Sequence, residues 1–145
     1  MNIKKLREQA QKPTKADEHS AGYDLYACID KADGQDWVWP GETLMVSSGY
    51  AFEIPEGYFG AIFPRSGLST KHGIRLSNCV AVIDSSYRGE VKMPLYNDSD
   101  HKYLVKSGDR VAQMVIIPYA SVDLVEVGEL SETVRGDQGF GHSGR

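Results

Sequence analysis

The chain has 145 residues, enough for one domain with its own core, and its composition is that of a soluble globular protein. Sixteen Lys and Arg stand against 20 Asp and Glu, a net charge of −4. That balance argues against a general nucleic-acid binder, whose backbone contacts need a basic surface, but leaves room for a small polyanion held by local cations or a metal.

In chain order, the charged residues of 3–12 suit a short helix by propensity. His19 to Ala27 is a Gly turn running into a short strand. Ala32 to Gly41 is a turn-rich loop carrying Trp37 and Trp39, and Glu42 to Ser47 is a strand. Tyr50, Phe52 and Ile54 alternate, Pro55-Glu56-Gly57 turns, and Tyr58 to Phe63 returns, which predicts a β-hairpin. Ser66 is placed as N-cap and Gly73 as the C′ residue of one or two helical turns, the only helix expected. His72 then sits where a cation suits the helix dipole.

Cys79 to Ile83 is an apolar run of strand character that stops at Asp84. Asp84 to Gly89 has turn composition, and Val91, Met93 and Leu95 alternate beyond it. The stretch predicts a second hairpin with a polar tip. Asn97 to Asp100 is a polar loop, Tyr103 to Val105 a strand, Val111 to Tyr119 a longer one, and Ser121 to Val127 the last. From Gly128 the apolar pattern stops, and 129–145 reads as a mobile Gly-rich tail. Many short strands separated by turns predict an all-β sandwich or jelly roll, and the absence of alternating long helices argues against a Rossmann-type sheet.

Cys28 and Cys79 lie in apolar surroundings without metal-ligand spacing and read as reduced core residues of a cytoplasmic protein. The four His are scattered. The first residues lack the apolar core of a signal peptide, and no apolar run approaches membrane-spanning length.

Four sets of residues bear chemistry. Asn78 offers an acceptor and two donors for a base edge, Asp84 is a candidate general base, and Tyr87 is a flat wall with a polar end. Arg65-Ser66-Gly67 opens the helix, where free N–H groups and a guanidinium suit phosphate; the same pattern also suits a plain capping turn. Arg135 to Arg145 pairs Gly-rich backbone with Arg135 and Phe140, which suits a phosphate nest closing over a nucleotide as well as a disordered terminus. Asp24, after a Gly turn, fits a Mg²⁺ site completed by substrate phosphates.

These pieces resemble, in order and spacing, the five motifs of the trimeric deoxyuridine triphosphatase (dUTPase) family. The motifs are Ala21 to Ala27, Pro64 to Leu68, Asn78 to Glu90, Gly108 to Val115, and Arg135 to Gly144. The resemblance implies a distorted β jelly roll, the β-clip of that family, with an N-terminal strand in place of the helix that propensity suggests. It implies a core over 1–128 and a C-terminal arm over 129–145 that closes an active site of a homotrimer. The implied reaction is hydrolysis of dUTP to dUMP and pyrophosphate with Mg²⁺.

On that resemblance Asp84 activates the water, Gln113 helps to position it, and Arg135 acts as an arginine finger. Arg65, Ser66 and Gly67 hold phosphates. Asn78 reads uracil, Tyr87 packs on the deoxyribose, and Met93, Phe140, Gly141 and Ser143 complete the substrate contacts. Asp24 reaches the metal through water.

Gln138, His142, Ala81 and Ser86 depart from the commonest motif residues without touching Asn78, Asp84 or Tyr87. Two other readings share the fold: a dCTP deaminase relative, which the complete fifth motif disfavours, and a nucleotide-sensing regulator that binds another protein.

Overall fold

The computed structural model describes residues 1–137. Eleven strands and one helix are formed among them: β1 Asn2–Lys5, β2 Tyr23–Tyr26, β3 Gln35–Val38, β4 Thr43–Ser47, β5 Tyr50–Glu53, β6 Tyr58–Pro64, α1 Ser66–His72, β7 Ile74–Leu76, β8 Ala81–Ile83, β9 Lys92–Asn97, β10 Tyr103–Lys106 and β11 Arg110–Pro118. The fold is the expected all-β jelly roll with one short helix.

Four antiparallel sheets make it up, in strand orders β1-β5, β10-β3, β2-β11-β6-β8 and β4-β9-β7. Their inward faces meet in one core. Leu25, Ile62, Ile74, Leu76, Leu95 and Met114 are fully buried there, each such side chain contributing about 1.5–3 kcal/mol. Asn97 is a polar residue inside this core. Its Nδ2 donates to the Val38 and His101 carbonyls at 2.9 and 2.8 Å, and its Oδ1 accepts from Ser99 N–H and Oγ at 2.9 and 2.7 Å. A fully satisfied amide of this kind costs nothing in unmade bonds and ties β9 to β3.

Neither predicted hairpin pairs with itself. β5 bonds to β1, whereas β6 lies between β11 and β8. β8 bonds to β6, whereas β9 lies between β4 and β7. Both turns form, but each carries the chain from one sheet to another, because burying both apolar faces requires the strands to part. The N-terminal strand is present but ends at Lys5. Trp37 belongs to β3 rather than to a loop, and the Lys102 ammonium lies 4.2 Å from its ring and 5.2 Å from that of Trp39.

Ser66 is the first helical residue, not the cap. Arg65 holds the N-cap position with extended backbone, and its side chain, having no acceptor, makes no capping bond. Gly73 ends the helix at φ +66, in the left-handed region expected of it, and His72 occupies the last turn with its ring 5.0 Å from that of Tyr103.

Cys28 is buried, and burial raises its thiol pKa. Cys79 is exposed, contrary to its apolar surroundings in sequence, because β8 begins only at Ala81. Ser121 to Val127 forms no strand. Its apolar side chains stand in solvent, as does Leu130 beyond them, with Leu124 95% and Leu130 88% exposed. A strand needs a neighbouring edge, and this segment meets none among the described residues.

Candidate active site

The turns on either side of β8 bring Asn78, Asp84 and Tyr87 to one groove of about 300 Å³, walled also by Met45, Val82 and Pro94. Asn78 is exposed on the turn between β7 and β8. Asp84 follows the last residue of β8 and is exposed. Its carbonyl accepts the Tyr87 N–H at 3.1 Å, closing the Asp-Ser-Ser-Tyr turn foreseen from composition.

The Tyr87 ring is 44% exposed, and its hydroxyl donates to the Glu90 carbonyl at 3.0 Å. It passes directly over Gly89, where an added Cβ would come within 2.5 Å of the Tyr87 Cζ. Only glycine admits the ring in this position. Met93 does not line the groove. It is fully buried in the core, on the inward face of β9.

A second cluster forms where β2, β11 and β6 run side by side. Gln113 is the register partner of both Asp24 and Phe63. Its Nε2 donates to the Pro64 carbonyl at 3.1 Å. The Asp24 carboxylate, 13% exposed, lies 3.0 Å from Arg65 Nε and 3.3 Å from Arg110 Nη1. Arg65 Nη1 also donates to the Arg110 carbonyl at 3.1 Å. Two guanidinium groups on one carboxylate leave a net positive corner. An open cleft of about 430 Å³ beside it is lined by Arg65, Gly67, Leu68, Lys71 and Arg110. Ser66 and Gly67 are exposed at the helix start, and a Cβ on Gly67 would meet nothing within 4 Å. Arg110 lies in the fourth motif, where sequence reasoning left it without a role; its place across the ladder from Tyr26 needs the fold to be seen.

The two clusters stand apart. Ile83, next to Asp84, pairs with Gly60 near the start of β6, and Arg65 follows the far end of that strand. At about 3.3 Å per residue, the run from Gly60 to Arg65 spans roughly 16 Å. Asp84 and Arg65 of one chain therefore do not face a common reacting atom.

Arg135 falls within the described residues, in a stretch without regular structure. Phe140, Gly141 and Ser143 lie outside them. Among the described residues no three His, Cys, Asp or Glu side chains converge as a metal cage. Asp24, already paired with two guanidinium groups, suits Mg²⁺ only as an outer partner, of an ion carried with several waters and substrate phosphates. Among the described residues no helix is long and apolar enough to cross a membrane.

The fold is an all-β one, and its two clusters carry groups suited to a nucleotide: an amide, a carboxylate and a ring in one, guanidinium groups in the other. A dUTPase family model matches residues 8–144. The deoxyuridine 5′-triphosphate nucleotidohydrolase of Hydrogenobaculum sp. (strain Y04AAS1) is 46% identical over 142 residues, covering 98% of this chain and 96% of its own. The chain belongs to the dUTPase family. A mutant dUTPase of Staphylococcus bacteriophage 80alpha, solved with dUpNHpp, is 28% identical and superposes with a TM-score of 0.88 over 99% of this chain and 98% of its own. A mutant dUTPase from phage phi11 of S. aureus, whose structure reveals the coordination of a structural Mg(II) ion, is 26% identical with a TM-score of 0.78 over 88% of this chain and 96% of its own.

Proposed function

We propose that this chain hydrolyses dUTP to dUMP and pyrophosphate at sites shared between copies of a cytoplasmic homotrimer. The observation that carries the reading is the single groove lined by Asn78, Asp84 and Tyr87. An amide for a base edge, a carboxylate for a water and a ring against a sugar are the groups that a deoxyuridine nucleotide with a reacting α-phosphate requires. The separation of this groove from the Arg65 corner supports assembly from more than one chain. So do the bare apolar side chains from Val122 to Leu130, which a neighbouring copy would cover.

In this reading Asn78 holds the uracil edge and Tyr87 closes the space beside the 2′ carbon. The Asp84 carboxylate takes a proton from a water as its oxygen attacks the α-phosphorus in line. The bond to the bridging oxygen of the β-phosphate breaks, and pyrophosphate leaves with that electron pair. Gln113, Arg65, Ser66, Gly67 and Arg110 of another copy orient the water and the phosphate chain. Arg135 adds charge to the transition state from the arm over 129–145, with Phe140, Gly141 and Ser143 beyond it.

Asp24 would reach a Mg²⁺ ion through water, and such an ion, carried on the phosphates, would neutralise charge on the triphosphate. Little covalent work falls to the protein: positioning and charge account for the rate.

The test is pyrophosphate release from dUTP, dCTP, dTTP and UTP, with and without Mg²⁺, with ammonia release from dCTP followed in parallel. Metal-dependent pyrophosphate from dUTP alone is expected. Ammonia from dCTP would move the chain to the deaminase reading, and no turnover of any nucleotide would overturn the enzyme reading.

A further inference from the structure

Glu90 closes the loop that carries Asp84 and Tyr87, and four donors converge on its carboxylate. Arg7 Nε donates to one oxygen at 2.6 Å and Arg7 Nη2 to the other at 2.9 Å. Gly49 N–H donates at 3.0 Å and the Ser47 hydroxyl at 3.4 Å. A guanidinium fork on both oxygens fixes direction as well as distance. The pair is half sheltered, with side chains 25% and 12% exposed, and the Arg7 guanidinium holds the Glu90 carboxyl below the usual glutamate range. Arg7 is steadied in turn by Asp30, which its Nη1 also contacts.

One backbone link then runs from Glu90 into the site, and a second ties the next residue to β5. The Glu90 carbonyl accepts the Tyr87 hydroxyl, and the N–H of Val91 beside it donates to the Tyr50 carbonyl at 2.9 Å. The tip of the loop bonds mostly to itself: Arg88 Nη1 donates to the Ser85 and Tyr87 carbonyls at 2.5 and 3.1 Å. The loop is anchored through β8 at its Ile83 end and through the Glu90 carboxylate at the other, with Arg88 4.0 Å from Glu53 at its tip, and the Tyr87 hydroxyl bonds at the Glu90 end.

We infer that Arg7 is a positioning residue for the nucleotide groove: its fork on Glu90 fixes the carbonyl that holds the Tyr87 hydroxyl, and so sets the wall that selects the sugar. The inference rests on the reading of Tyr87 proposed above. Arg7 lies outside all five motifs and 83 positions from Glu90 in sequence.

A purely structural ion pair and a positioning one both lower stability when broken, so stability does not separate them. The preference for dUTP over UTP does. In Arg7→Met, kcat/KM for dUTP should fall on the order of 10-fold, and the dUTP-to-UTP preference should narrow by a similar factor, the scale expected when a group beside the reacting centre shifts by a fraction of 1 Å. Arg7→Lys keeps the charge without the fork and should fall between. Arg7→Met combined with Glu90→Gln should be no worse than Arg7→Met alone, because the two residues act as one unit.

A folded, assembled Arg7→Met with wild-type preference overturns the inference. Where Arg7→Met does not fold, Glu90→Gln takes its place, since it keeps the shape and loses the charged fork; wild-type preference there overturns the inference equally. Tyr87→Ala is the control. An unchanged preference there overturns the reading of Tyr87 and this inference with it. A lowered preference there, beside an unchanged one in Arg7→Met, overturns the inference alone.

Discussion

Replacing Asp84 with Asn is expected to leave a folded protein that still binds dUTP and turns it over at least about 100- to 1000-fold more slowly, the usual cost of losing a general base or a strong electrostatic stabiliser. The substitution keeps shape and removes the charge that accepts the proton. Asp84 stands exposed on its turn, and among the described residues the bond that closes the turn uses its backbone carbonyl. The stability change should stay within about 0.5 kcal/mol, as for other exposed surface positions. Single-turnover pyrophosphate release checks the rate, and equilibrium titration with a non-hydrolysable analogue checks binding. Turnover near the wild-type rate would remove Asp84 from its role.

Ending the chain at Val134 is the second large effect. It removes Arg135 and everything beyond while keeping the apolar stretch from Val122 to Val134. Assembly should survive, since the covered surface remains. Turnover should drop by about 10³- to 10⁵-fold if Arg135 acts as an arginine finger. Nucleotide affinity should fall less than turnover, because Asn78 and Tyr87 remain although Phe140, Gly141 and Ser143 are lost. Light scattering reports assembly and steady-state kinetics report rate. A truncated chain with full activity would refute a catalytic arm.

Much of the candidate site was legible before the fold was known, because its residues sit in short, ordered motifs. Asn78, Asp84 and Tyr87 do share a groove, and turn chemistry at Asp84 was foreseen for the right reason. Most strands were legible too, since alternation is a local property, but β3 and β7 were not, and Ser121 to Val127 forms none.

Strand pairing was not. Pro55-Glu56-Gly57 and Asp84 to Gly89 are real turns, but whether the flanking strands bond to each other depends on which distant face needs burial. Met93 shows the same limit. Its alternation marks a strand face, and only the packed core decides that this face points inward. Cys79 shows the converse, an apolar neighbourhood in sequence that remains at the surface. Ser121 to Val127 has the composition of a strand, yet it finds no partner edge among the described residues. Arg7 and Arg110 were beyond reach because their roles arise from contacts across 83 and 86 positions.

In the proposed assembly Asp84 and the Arg65 corner serve one active site from different chains. Arg65→Ala and Asp84→Asn should each be nearly inactive alone. Unfolded together in equal amounts and reassembled, they should recover roughly a quarter of the wild-type rate, because in a closed ring of random composition that share of sites takes Asp84 from one variant and Arg65 from its neighbour. A mixture no more active than the two variants measured separately would contradict the shared site.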